Sequence, residues 1–182
     1  MIWIRTTLLV SVLIFTSCDI GEIPTASLDN PVDLESAVEQ GIETPALVFF
    51  PNAVSTTLGG SVAFKLIVLE VNNLIGASIQ LKYNPASLDL STINVGGLFQ
   101  GTNAPIFLVE NDVDNGILHI NTFYLGPDSL SVSGTGDLAM VVFNTKLPGQ
   151  SVLQYLPESE LADHDSNPIE IQGFGEGVID AQ

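Results

Sequence analysis

Hydrophobic and polar positions alternate through most of the chain beyond residue 45, and that alternation predicts strands. Ala46 to Phe50 is an unbroken apolar run. From Ser61 to Val71, one parity carries Val62, Phe64, Leu66, Val68 and Glu70, and the other carries Ala63, Lys65, Ile67, Leu69 and Val71. Residues 76 to 83 alternate more cleanly, with Ala77, Ile79, Leu81 and Tyr83 inward and Ser78, Gln80 and Lys82 outward. Asn84-Pro85-Ala86-Ser87 is a turn signal, Leu88 to Val95 a strand, and Gly96-Gly97 its end. Pro105 to Val109 and Gly116 to Leu125 read as a hairpin across Asp112 to Gly116, with Asn115-Gly116 supplying positive φ. Asp137 to Leu147 is apolar on both parities, as a central strand would be. Ser151 to Ala162 and Ile169 to Asp180 complete the set, the last spaced by Gly173, Gly175 and Gly177. Nine short strands with turn signals between them predict an all-β sandwich.

The first 44 residues follow other rules. Arg5 precedes an uncharged stretch from Thr6 to Ser17, which ends at Cys18, the single cysteine. The stretch is too short to span a bilayer, which takes about 20 apolar residues. A cationic end, an apolar middle and small residues before a cleavage point are the layout of a secretory signal peptide. Phe15-Thr16-Ser17-Cys18 resembles a bacterial lipobox, in which the cysteine is lipidated and becomes the first mature residue. Phe15 stands where leucine is usual. Residues 1–17 are therefore expected to be a lipoprotein signal peptide, Cys18 the lipidation site and 18–44 an acidic flexible linker. Residues 19–44 hold seven acids and no base, are interrupted by Pro24 and Pro31, and scatter their apolar residues. A short helix over Asp33 to Gln40 is allowed, with Asn30 as N-cap and Pro31 at the first position.

Charge narrows the partners. Beyond residue 17, three lysines against 21 acids leave a net charge of −18. Such a surface repels nucleic acid, whose binding depends on lysine and arginine neutralising phosphate. Membrane contact is expected through the Cys18 lipid alone.

Candidate chemistry is sparse. In Asn111-Asp112-Val113-Asp114-Asn115-Gly116, Val113 occupies a position where a calcium loop needs an oxygen ligand, so a hairpin turn is expected. Asp163-His164-Asp165-Ser166-Asn167 reads as a solvated turn. His119 and His164 are the only histidines, too few for a zinc site. No serine sits in a nucleophile-elbow setting, and a compact sandwich leaves little room for a glycosidase cleft. The chain is expected to be a non-enzyme without metal or cofactor.

The ordered segments resemble the cohesin family. Ile75-Gly-Ala-Ser-Ile-Gln-Leu-Lys-Tyr-Asn-Pro-Ala-Ser-Leu-Asp-Leu90 is similar to the family's third strand, the turn after it and the start of the fourth. Asn115-Gly116 matches the turn into its sixth strand, and Gly136 to Lys146 resembles its seventh. Leu161 to Ile169, with the glycine-spaced ending at Gly177-Val178-Ile179, resembles its last two strands. The likeness spans roughly residues 46 to 180 and implies a nine-stranded jelly-roll sandwich over 45–182, shared with some carbohydrate-binding modules. It also implies binding of a dockerin-like module on a face made by the family's strands 8, 3, 6 and 5. On this chain the outward residues there would be Gly76, Ser78 and Gln80 on one strand and His119, Asn121 and Phe123 on another. Gly76 and Ser78 depart from the Asn and Asp that the family often carries. The resulting expectation is a lipid-anchored, extracytoplasmic recognition module on a bacterial cell membrane or outer membrane, scaffolding dockerin-bearing polysaccharide-degrading enzymes. The alternatives are a carbohydrate-binding module and an envelope domain without a discrete ligand. Polysaccharide is the weaker partner: the mature chain has no Trp, and Tyr83 and Tyr124 have inward parity, with Tyr155 the only other tyrosine.

Overall fold

The computed structural model describes residue 37 and residues 41–99, 105–124 and 131–182. The expected signal peptide, Cys18 and the spacer up to residue 36 lie outside the described residues, as do residues 38–40. The strands are β1 (Ala46–Phe50), β2 (Ala53–Thr56), β3 (Ser61–Lys82), β4 (Leu88–Val95), β5 (Ile106–Asp112) and β6 (Ile117–Phe123). They continue with β7 (Val132–Thr145), β8 (Gly149–Tyr155), β9 (Glu160–Asp163), β10 (Pro168–Ile169), β11 (Gly173–Phe174) and β12 (Glu176–Ala181).

The strand β3 organises both layers. Its first half pairs with β1 on one side and β7 on the other, and β4 lies beyond β7. Its second half pairs with β6 on one side and with β9 and β8 on the other, and β5 lies beyond β6. The two strands expected over 61–71 and 76–83 are thus one bent strand. The bend comes from register shifts between Val68 and Val71 and between Val71 and Leu74. Glu70 and Asn73 take left-handed φ values of 48° and 62° there. Their amides are not orphaned: Glu70 N donates to Thr135 Oγ1 at 3.2 Å and Asn73 N to Ser133 Oγ at 2.9 Å, both on β7. A bulge bends a strand while side chains satisfy the freed donors.

Other boundaries also differ from the nine expected strands. The run over 151–162 is broken at residues 156–159, where Pro157 has no amide to give the ladder. The last run splits into β10, β11 and β12, and a further strand, β2, follows Pro51. β7 starts five residues earlier than Asp137, because its first residues pair with the β3 corner. β5 runs on to Asp112, leaving a four-residue loop whose only positive-φ residue is Gly116 (φ 62°), not the Asn115-Gly116 pair. A Cβ at Gly116 would stand 2.5 Å from the Tyr83 carbonyl oxygen, so a side chain is excluded as well.

The core lies between the layers. Phe49, Phe64, Leu66, Ile79, Leu81, Leu118 and Phe143 are fully buried in one contiguous cluster. Phe49 stacks on Tyr155 at 4.5 Å and meets Phe64 edge-on at 6.0 Å. Tyr155 O–H donates to the Val48 carbonyl at 2.8 Å, which carries its hydroxyl into the interior with a partner. Burial pushes the Tyr155 phenol well above its usual pKa. A second cluster covers the opposite face of β1 and β3: Ala46, Val48, Ile67 and Leu69, packed by Ala37, Ile42 and Phe50. Ala37 is helical, and Ile42 N donates to its carbonyl at 2.9 Å. That cover explains why both parities of β3 are apolar from Leu66 to Leu69.

Two turns are closed by aspartates. Asp112 accepts from Asn115 N (3.0 Å) and Asn115 Nδ2 (2.7 Å). Asp163 accepts from Asp165 N, Asn167 N and Asn167 Nδ2 at 2.8–3.2 Å. The Asn115 side-chain and backbone donors hold the Asp112 carboxyl below its usual pKa, and the Asn167 amide does the same for Asp163.

Tyr155→Phe is expected to cost about 0.5–1.5 kcal/mol, since it removes one buried hydrogen bond, and Phe49→Ala about 3–5 kcal/mol by cavity formation; urea melts measure both. Ala37→Leu is expected to overpack the outer cluster and cost roughly 1–3 kcal/mol in the same melts. Because both aspartates titrate lower folded than unfolded, their contribution is present above the unfolded pKa of about 3.9 and is lost as pH falls through the folded value. Amide shifts of Asn115 and Asn167, followed from pH 6 to 2, will report it. Midpoints at or above the unfolded value would contradict the hydrogen-bonded turns.

Candidate recognition face

The second half of β3 pairs with β6 so that every outward residue has a counterpart: Gly76 with Phe123, Ser78 with Asn121, and Gln80 with His119. The six residues singled out from the sequence are therefore three consecutive cross-strand pairs on one face. Their inward neighbours confirm the orientation, since Ala77, Ile79, Leu118, Ile120 and Thr122 are buried. Cys18, the other residue singled out, lies outside the described residues.

Neighbouring strands extend each pair into a row. Ala162 of β9 stands opposite Gly76, and Pro168 of β10 opposite Ala162; on the other side Ile106 of β5 faces Phe123. The first row is thus Pro168, Ala162, Gly76, Phe123 and Ile106, all apolar or bare. The second is Glu160, Ser78, Asn121 and Leu108. The third is Gln80, His119 and Glu110. Side-chain pairs on one face lie close enough to present a shared surface.

The first two rows bound an open depression of about 440 Å³, lined by Gly76, Ser78, Asn121, Phe123, Glu160 and Pro168 among others. Its floor is low because Gly76 has no side chain; a Cβ there would lie 3.0 Å from the Phe123 Cβ. Phe123 is half-buried, and Leu108 is 56% exposed. At the far end Lys82 Nζ donates to the Asn115 carbonyl, and beside the first row the Asp163 turn holds the β9–β10 connection.

The contributions of β5, β9 and β10 to this face are not assigned by the sequence reading. The β5 residues follow from one register: with Asp112 opposite Ile117, counting outward gives Glu110, Leu108 and Ile106. Ending that strand at Val109 hides the register. The β9 residues carry no comparable signal, since residues 156–159 interrupt the alternation that would carry parity from β8.

Among the described residues, no three His, Cys, Asp or Glu side chains are grouped to hold a metal ion. Tyr83, Tyr124 and Tyr155 are all buried, so none offers a ring on which a sugar could stack.

No protein-family model matches the chain, and no curated protein matches it either. Solved structures do. A non-cellulosomal cohesin from the hyperthermophilic archaeon Archaeoglobus fulgidus superposes with a TM-score of 0.61 at 16% identity, over 75% of this chain and 90% of that one. A type II cohesin domain from the cellulosome of Acetivibrio cellulolyticus gives 0.63 at 17% identity, over 74% and 95%. A type I cohesin–dockerin complex from Clostridium thermocellum gives 0.62 at 14% identity, over 75% and 98%. With that agreement in strand arrangement, the described part of the chain is a β-sandwich with the cohesin fold.

Proposed function

We propose that the domain is a protein-recognition module, not an enzyme, and that it binds through the outer face of β9, β3, β6 and β5. The observation that carries this reading is the registration of Gly76, Ser78 and Gln80 with Phe123, Asn121 and His119 into one continuous open face. An open, two-sided row of polar and apolar side chains suits a partner surface better than a small substrate, which needs an enclosing pocket. Solved neighbours include complexes of cohesins with dockerins, and a dockerin-like module is the partner class this face would take. Cys18 would carry the lipid that anchors the module outside the cytoplasm, with the acidic segment as a spacer. In that setting the module would hold its partner, such as a dockerin-bearing polysaccharide-degrading enzyme, at the envelope.

Two measurements test this. A panel of purified dockerin modules, titrated calorimetrically, is expected to contain a binder whose affinity falls at least about tenfold in Gln80→Ala/Asn121→Ala, since central interface truncations commonly cost over 1 kcal/mol each. Binding unchanged in the double variant rules out this face; retention by polysaccharide gels without any dockerin binding favours the carbohydrate reading. For the anchor, cells fed labelled palmitate are expected to label the wild type and not Cys18→Ser. Equal labelling of the two would remove Cys18 as the lipid site.

A further inference from the structure

The turn between β5 and β6 carries reactive chemistry of its own. Asn115-Gly116 is the chain's one Asn-Gly step. An asparagine followed by glycine is prone to cyclise, because no Cβ shields the next backbone nitrogen. The fold imposes that step. Gly116 has φ 62°, and a Cβ there would meet the Tyr83 carbonyl oxygen at 2.5 Å and Pro85 Cδ at 2.8 Å, so no other residue fits after Asn115. Asn115 is exposed, so water reaches it.

Two charged groups bracket the step. The Asp112 carboxylate accepts from Asn115 N at 3.0 Å and from Asn115 Nδ2 at 2.7 Å. Lys82 Nζ, reaching outward from β3, donates to the Asn115 backbone carbonyl. The first group holds the side-chain amide. The second polarises the carbonyl through which residue 115 is joined to Gly116.

We infer that Asn115 is a self-modification site, at which Asp112 restrains deamidation and Lys82 directs the product to isoaspartate. In the first step the Gly116 nitrogen loses its proton to solvent and bonds Asn115 Cγ. The Cγ–Nδ2 bond breaks, and Nδ2 takes up a proton and leaves as ammonia, which closes a five-membered succinimide. For this, Cγ must swing onto the Gly116 nitrogen, and the bond from Nδ2 to Asp112 holds it back. Water, the only co-reactant, then adds to one of the ring's two carbonyl carbons, and the Gly116 nitrogen regains a proton as its bond to that carbon breaks. Addition at Cγ leaves aspartate. Addition at the backbone carbonyl carbon leaves the chain running through Cγ, as isoaspartate. Lys82 selects the second route. Its ammonium lies on the backbone carbonyl oxygen, where it stabilises the negative charge that water addition develops and then pairs with the α-carboxylate that results. Either product puts a carboxylate in place of an amide donor, in a turn that already holds Asp112 and Asp114. Isoaspartate also lengthens the turn by one backbone atom, at the Lys82 end of the face described above.

The test ages the protein at mildly alkaline pH, folded and, separately, in urea. Peptide mass spectrometry follows amide-to-acid conversion at each asparagine, and enzymatic methylation counts isoaspartate. Folded wild type is expected to convert at Asn115 before any other asparagine, yet more slowly than in urea. Asp112→Asn keeps an oxygen for Asn115 N but gives up the acceptor for Nδ2; it should convert at least about threefold faster than folded wild type, as losing one exposed hydrogen bond implies. Asp163→Asn, the same change in the other aspartate-closed turn, should leave the rate at Asn115 unmoved, which separates a local restraint from general loosening. The isoaspartate share should be higher in folded wild type than in urea, and Lys82→Met should lower it to the urea value. Conversion no slower when folded than in urea, or a rate unmoved by Asp112→Asn, overturns the restraint. An isoaspartate share unmoved by Lys82→Met overturns the role of Lys82, and conversion at another asparagine ahead of Asn115 overturns the site.

Discussion

The corner in β3 is the feature on which the two layers depend. A strand of 22 residues can belong to both sheets only if it turns between them without abandoning its hydrogen bonds. Glu70 and Asn73 make that turn in the left-handed region, a conformation that costs a non-glycine residue energy and persists only where surroundings over-determine it. The Thr135 and Ser133 hydroxyls accept the two exposed amides, and Glu70 accepts in return from Thr135 Oγ1 at 3.1 Å. The strain is thus fixed by a neighbouring strand. On one side of the corner the strand packs against β1 and β7; on the other it runs between β6 and β9, at the centre of the proposed recognition face.

That arrangement couples core and surface. The inward residues of the second half, Ala77, Ile79 and Leu81, are clamped in the same cluster as Phe49, Phe64 and Phe143. Because strand parity is fixed, burying them forces Gly76, Ser78 and Gln80 outward with no freedom of register. The backbone of the face is therefore held in register by the core behind it. The depth of its depression depends on the missing side chain at Gly76 and on the position of Phe123.

Two of the chain's carboxylates, Asp112 and Asp163, are committed to turns, where amide donors depress their pKa. Glu160 and Glu110 differ in that the fold brings them, from 50 residues apart, to opposite borders of one face. Local sequence composition contains no trace of that pairing.

Alternation alone determined the class of the fold, the inward and outward parity of 76–83 and 117–124, the bounds of β4 and the Asn84 turn, because each is a local matter of period and turn chemistry. That parity, applied to the face that the resemblance to cohesins implies, also singled out the six residues of β3 and β6. What only the tertiary structure decided is non-local. One long strand replaced two, since a bulge is stabilised by side chains some 60 residues away and reads in sequence as a loss of period. Both parities of Leu66 to Leu69 are buried because Ala37 and Ile42 cover the outer face, a contact no strand pattern encodes. The full width of the face, with Ile106, Leu108, Glu110, Glu160, Ala162 and Pro168, waited on registers set by hydrogen bonds between strands distant in sequence. Periodicity says which way a residue points; pairing between remote strands says what stands beside it.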